Sequence, residues 1–170
     1  DNVDQLALAW HYQSGDLPEA YPESHSAYSF QATPLKVDDS LYFCSPRNKV
    51  IALDAETGRE RWRFDPDIDT RGVHMLACRG VSYHHDVDTG TRCAKRILVA
   101  TLDARMLALD AQTGELCPDF GESGEISLLE GLGEVKPSYY LVSSPPAIVG
   151  DVAIVGGFVL DNMSLDEPPG

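Results

Sequence analysis

Ala52-Leu53-Asp54-Ala55-Glu56-Thr57-Gly58 returns as Ala108-Leu109-Asp110-Ala111-Gln112-Thr113-Gly114, with only the fifth of the seven positions changed. The offset is 108 − 52 = 56 residues. The stretches ahead of the two copies match in character, Leu41-Tyr42-Phe43-Cys44 against Ile97-Leu98-Val99-Ala100. A third copy stands at twice the offset. Thr33-Pro34-Leu35-Lys36-Val37-Asp38-Asp39 aligns with Pro145-Pro146-Ala147-Ile148-Val149-Gly150-Asp151, and 146 − 34 = 112 = 2 × 56. Ala153-Ile154-Val155-Gly156 then takes the place of Leu41-Tyr42-Phe43-Cys44. Self-similarity at a fixed period of this length is the mark of a repeat architecture, in which each unit buries its apolar face only against a neighbour.

Within one unit, short apolar runs alternate with turn residues. Residues 34–37 read as a strand and Val37-Asp38-Asp39-Ser40 as a hairpin turn. Residues 41–45 form the next strand, Arg47-Asn48 a second turn, and residues 49–53 a third strand. Residues 54–58 make a tight turn in which Gly58 is free to take positive φ, and residues 60–64 give a fourth strand carrying Trp62. Four short antiparallel strands at this spacing are a propeller blade. The fold class is therefore all-β: a β-propeller fragment of about three blades. Propellers need about 4–8 blades, so three units do not close a ring. Residues 3–12 alternate Leu6, Leu8, Trp10 and Tyr12 on one side, which predicts an outermost strand ahead of the first blade. A short helix over residues 3–9 competes with that reading. Residues 65–74 and 131–140 read as loops that build a site on one face.

The formal net charge of −14 argues against a nucleic-acid partner, which demands a basic face. No apolar run reaches the roughly 20 residues of a membrane span, and the chain opens on Asp1 without a leader, so any targeting or anchoring segment is expected outside it. Cys44, Cys78, Cys93 and Cys117 contain no C-x-x-C pair, and their even number suits two disulfides in an oxidising compartment, with buried thiols as the alternative. Residues 81–92 could fold back as a hairpin, which predicts Cys78–Cys93 and leaves Cys44–Cys117 by elimination.

The turn at residues 52–58, continued by Arg59-Glu60-Arg61-Trp62, resembles the tryptophan-docking repeat of the quinoprotein dehydrogenases. His74-Met75-Leu76-Ala77-Cys78-Arg79-Gly80-Val81-Ser82-Tyr83, Ser143-Ser144-Pro145-Pro146 and Asp161-Asn162 are similar to the membrane-bound branch, which holds the glucose and the quinate/shikimate dehydrogenases. The resemblance runs from Leu8 to Gly170. It implies an eight-bladed propeller of which residues 1–170 are the N-terminal blades, with the membrane anchor and later blades outside. It implies oxidation of a polyol or sugar by pyrroloquinoline quinone (PQQ) beside calcium or magnesium. Electrons would pass to ubiquinone at the periplasmic side of the bacterial inner membrane. The family's catalytic base is expected downstream of Gly170, so this piece alone is expected to be inactive.

The resemblance carries individual roles onto matching positions. His74 takes the place that packs over the quinone plane, and Arg79 the place that pairs with a cofactor carboxylate, which suits a planar bidentate donor. Gln31 stands where the methanol-oxidising branch has a glutamate near a cofactor carboxyl group. Ser143 and Ser144 offer hydroxyl donors. Asp161 and Asn162 offer oxygen ligands of the kind hard divalent cations take. The plainer readings are a surface loop histidine, a structural ion pair at Arg79, an edge polar residue at Gln31, a Ser-Ser-Pro-Pro turn and an Asx turn. Trp62 reads as structural, docked between blades. His84 and His85 are adjacent and would point to opposite faces of a strand, so they are not read as a metal pair. The competing function is a non-catalytic propeller scaffold such as an outer-membrane assembly lipoprotein.

Overall fold

The structure, a computed structural model, describes residues 2–22, 24, 26–87 and 92–160. Its strands are β1 (Ala27–Phe30), β2 (Leu35–Val37), β3 (Ser40–Cys44), β4 (Val50–Asp54), β5 (Glu60–Phe64), β6 (Met75–Cys78), β7 (Ser82–His85), β8 (Lys95–Ala100), β9 (Arg105–Asp110), β10 (Glu125–Ser127), β11 (Tyr140–Leu141), β12 (Ala147–Val149), β13 (Val152–Ile154) and β14 (Phe158–Val159). β2-β3-β4-β5 make one antiparallel four-stranded sheet and β7-β8-β9-β10 a second. These are two propeller blades in which β3–β4 and β8–β9 are the equivalent middle pairs. The third unit is represented among the described residues by the hairpin β12–β13. Among the described residues, no helix is long and apolar enough to cross a membrane.

The repeated motif works as a turn lock. Asp54 Oδ1 accepts from the Thr57 backbone N–H and hydroxyl at 2.8 Å, while the Gly58 N–H reaches the Asp54 carbonyl at 2.9 Å. Asp110 repeats this with the N–H groups of Gln112 and Thr113 at 2.9 Å and of Gly114 at 2.8 Å. The glycine has two reasons to be there. Gly58 and Gly114 stand at φ +70° and +73°, and a Cβ on either would lie 2.5 Å from the ring of Trp10 or Trp62 respectively. Each tryptophan thus lies flat on the glycine of the following unit. Trp62 is also held by its indole N–H on the Ala111 carbonyl at 3.0 Å, which the Tyr42 hydroxyl shares at 2.9 Å.

The core lies between the two blades and is built from alternate residues of their middle strands, including Tyr42, Cys44, Val50, Ala52, Ile97, Val99, Leu107 and Leu109. Buried Asn48 ties the β3–β4 turn to the next blade, its side-chain oxygen accepting from the Leu102 N–H at 3.0 Å.

Two expectations are corrected. Residues 3–12 do not form a strand: Val3–Gln5 is a 3₁₀ turn and the rest runs outside any sheet. Leu6 and Leu8 are exposed, so the alternation does not describe a buried face. Anchoring is done instead by Trp10 on Gly58 and by Tyr12, whose hydroxyl accepts from Arg63 at 2.7 Å and donates to Glu60. The disulfides are Cys44–Cys78 and Cys93–Cys117, with Cα–Cα distances of 5.9 and 5.7 Å, not Cys78–Cys93 and Cys44–Cys117. The hairpin β7–β8 does form, with His85 opposite Lys95. Antiparallel pairing therefore sets Cys93 near the far end of β7, while Cys78 precedes its start. At about 3.3 Å per residue the two sulfurs cannot meet.

Candidate functional site

Three segments lead into the three units and run side by side. β1 pairs in parallel with β6, from Ala27 opposite Met75 to Phe30 opposite Cys78. The contact continues beyond the strands, with the Thr33 N–H on the Arg79 carbonyl at 2.9 Å. On its other side, the Arg79 N–H donates to the Ser143 carbonyl at 2.8 Å. Gln31, Arg79 and Ser143 are thereby brought together from three successive units. Arg79 Nε donates to Gln31 Oε1 at 3.2 Å, and Gln31 Nε2 turns to Ser29 Oγ at 2.8 Å.

A cavity of about 590 Å³ opens beside these segments. His74, Arg79, Ser143 and Ser144 line it, together with Met75, Ala77, Leu102, Leu141, Phe158 and Leu160. The backbone of Gly72, Gly156 and Gly157 completes the wall. Strand alternation explains which side chains arrive. Met75, Ala77 and Arg79 face the cavity, while Leu76 and Cys78 between them are turned into the core at 0% and 1% exposure. The second face of β6 is therefore what aims the first.

The wall's chemistry is unlike that of the chain around it. The sequence carries 27 acidic residues, yet no Asp or Glu among the described residues lines this cavity. Its polar groups are the Arg79 guanidinium, the His74 imidazole and two hydroxyls. Arg79 pairs with no carboxylate among the described residues; its one side-chain partner is neutral Gln31. That donor set fits an anionic, carboxylate-bearing ligand, and the apolar residues and bare glycine backbone fit a flat one. A larger cleft beside Trp10, Leu41 and Phe43 is mostly apolar; Tyr12, Gln13 and Ser14 give it polar groups, but no arginine, lysine or histidine is among its described lining residues.

Of the residues singled out in the sequence, His74, Arg79, Ser143 and Ser144 share the cavity and Gln31 joins it through Arg79. Asp161 and Asn162 lie outside the described residues; Leu160, which directly precedes them, is on the wall. The sequence reading missed Gly156 and Gly157. Tyr140 packs its ring where a Cβ of Gly157 would stand, and the Gly-Gly pair followed by an aromatic residue was the available signal. His84 reaches Asp151 at 3.5 Å, a link from β7 to the β12–β13 turn outside the cavity.

The two blades, with segments from three units converging on a cavity that bears Arg79 and no acidic side chain among its described lining residues, define part of a β-propeller whose candidate site is built where units meet. The match is specific. The family model described as "PQQ: Glucose/ethanol/alcohol dehydrogenase, beta-propeller domain" covers residues 1–170, and the chain belongs to that family. It is 36% identical to the glycerol dehydrogenase large subunit of Gluconobacter thailandicus over its full length, 34% to the quinoprotein glucose dehydrogenase of Escherichia coli, and 31% to the quinate/shikimate dehydrogenase (quinone) of Acinetobacter baylyi. The chain spans only 22–23% of the length of those relatives. Among solved structures, the quinohemoprotein alcohol dehydrogenase of Comamonas testosteroni superposes with a TM-score of 0.59 at 28% identity, over 79% of this chain and 18% of that one. A europium-containing methanol dehydrogenase shares the fold at a TM-score of 0.64, with 24% identity, 93% of this chain and 23% of that one covered.

Proposed function

We propose that this chain is the N-terminal part of an eight-bladed propeller that binds PQQ and oxidises a polyhydroxylated substrate, a polyol or sugar of the quinate/shikimate or glucose kind. The observation that carries the reading is the cavity with Arg79 at its wall and no acidic side chain among its described lining residues, in a chain of net charge −14. Bound there, PQQ would accept two electrons from the alcohol carbon. In this reading Arg79 and the Ser143 and Ser144 hydroxyls hold the cofactor's carboxylates, and Gln31 fixes the guanidinium plane. His74 packs at the cavity edge against the ring system. Asp161 and Asn162 are proposed as oxygen ligands of the accompanying calcium or magnesium ion; they follow directly on the wall residue Leu160. Electrons would leave to ubiquinone, with the whole protein membrane-anchored and working at the periplasmic face. Two buried disulfides suit that oxidising compartment.

The test is reconstitution of full-length apoprotein with PQQ, read by equilibrium dialysis. Arg79→Ala should weaken cofactor binding by about tenfold or more, the worth of one charge-assisted hydrogen bond. An unchanged affinity would remove Arg79 from the site and the reading with it.

A further inference from the structure

The two disulfides differ in what they join. Cys93–Cys117 links the β7–β8 connection to the segment after β9, within one blade and away from the cavity. Cys44–Cys78 crosses between units, from the end of β3 in the first blade to the last residue of β6. Cys78 lies between Ala77 and Arg79, which face the cavity.

β6 needs such an anchor. Among the described residues its only strand partner is β1, in a two-stranded parallel pair of four residues. A two-stranded ribbon is marginal by itself, and parallel pairing is slightly weaker than antiparallel. The alternation of a strand has period two, so a slip of one residue would turn Arg79 into the core and bring Cys78 to the cavity. Both half-cystines are buried, at 0% and 1% exposure, in the apolar core between the blades. A covalent bond at Cys78 excludes that slip.

We propose that the Cys44–Cys78 disulfide is the positioning element for Arg79, so that retention of the anionic cofactor depends on this bond, while Cys93–Cys117 serves stability alone. The inference rests on the reading of the cavity as the PQQ site, and the experiment separates the two.

Full-length protein is prepared as Cys44→Ala/Cys78→Ala, as Cys93→Ala/Cys117→Ala and as Arg79→Ala, and PQQ affinity and melting temperature are measured for each. The first pair should weaken PQQ binding by about tenfold, comparable with Arg79→Ala, and adding Arg79→Ala to it should cost little more. The second pair should lower the melting temperature and leave affinity within about twofold. Unchanged affinity in the first pair, or equal loss in both pairs, overturns the proposal even where Arg79→Ala is impaired; a silent Arg79→Ala overturns the underlying reading too. Should the first pair fail to fold, wild-type holoprotein is titrated with reductant, and alkylated peptides are followed by mass spectrometry. Cofactor release that tracks the opening of Cys44–Cys78 supports the proposal, and release that tracks Cys93–Cys117 overturns it.

Discussion

Gly114 carries the repeat at the scale of a single residue. Its positive φ disfavours any side chain, and the ring of Trp62 already occupies the space a Cβ would take. Gly114→Ala must therefore strain the turn and push out a tryptophan that is 9% exposed and bonded to Ala111. A loss of about 2–4 kcal/mol in unfolding free energy is expected from the combined backbone and packing terms, read from the denaturant midpoint. A loss below about 0.5 kcal/mol, the range of an ordinary surface substitution, would mean the indole does not dock there. This residue was legible from sequence because turn chemistry is local: an aspartate, a threonine and a glycine at fixed spacing encode their own hydrogen bonds. The docking tryptophan of the first unit was not read as such. Trp10 does the work of Trp62 without lying in a strand, and alternation of Leu6, Leu8 and Trp10 imitated one.

At the scale of the element, Asp110 joins two pieces of the second blade. Its Oδ1 closes the β9 turn, while Oδ2 accepts from the Cys93 N–H at 2.8 Å and so holds the disulfide-bearing loop against the turn. Burial pushes this carboxyl up, but the N–H groups of Cys93, Thr113 and Gln112 outweigh it and leave the group below the usual carboxylate range. A folded-state value below the unfolded one contributes stability that is present above the unfolded value of about 3.9 and lost as pH falls through the folded value. Asp110→Asn should accordingly destabilise the protein at pH 6, and the deficit should shrink as pH falls below the unfolded value of about 3.9, where the unfolded wild-type chain takes up the proton before the folded one does. A deficit that is constant with pH would show that the hydrogen bonds and not the charge matter. Pairing of cysteines belongs to this scale as well, and here sequence misled. The hairpin at β7–β8 was foreseen, yet its antiparallel sense carries Cys93 away from Cys78. Cys44 and Cys78 meet because two different units pack together, a relation that no local pattern contains.

For the whole molecule, the site exists only where units meet, since no single blade supplies more than part of the cavity wall. The repeat, with its period of 112/2 = 56 residues, made the architecture readable before any side chain was placed. The cavity residues were legible through family resemblance and not through pattern: nothing in the spacing of Gln31, Arg79 and Ser143 says that three entering segments lie edge to edge. The structure supplies the link, through the hydrogen bonds Thr33 to Arg79 and Arg79 to Ser143 along the backbone and Arg79 to Gln31 between side chains. This arrangement makes a prediction about coupling. In the proposed PQQ site Gln31 would act on the anionic ligand through Arg79, to which it is hydrogen-bonded, so once Arg79 is gone the amide would have nothing left to orient. In PQQ-binding measurements on the full-length protein, Gln31→Ala and Arg79→Ala should be non-additive, with a coupling energy of about 0.5–3 kcal/mol, as found for residues in direct contact. Gln31 and Ser144 share no hydrogen bond among the described residues, and Gln31→Ala with Ser144→Ala should add to within about 0.5 kcal/mol. Additivity in the first cycle would make Gln31 an independent contact, and strong coupling in the second would mean that the three segments respond to the ligand as one rigid unit.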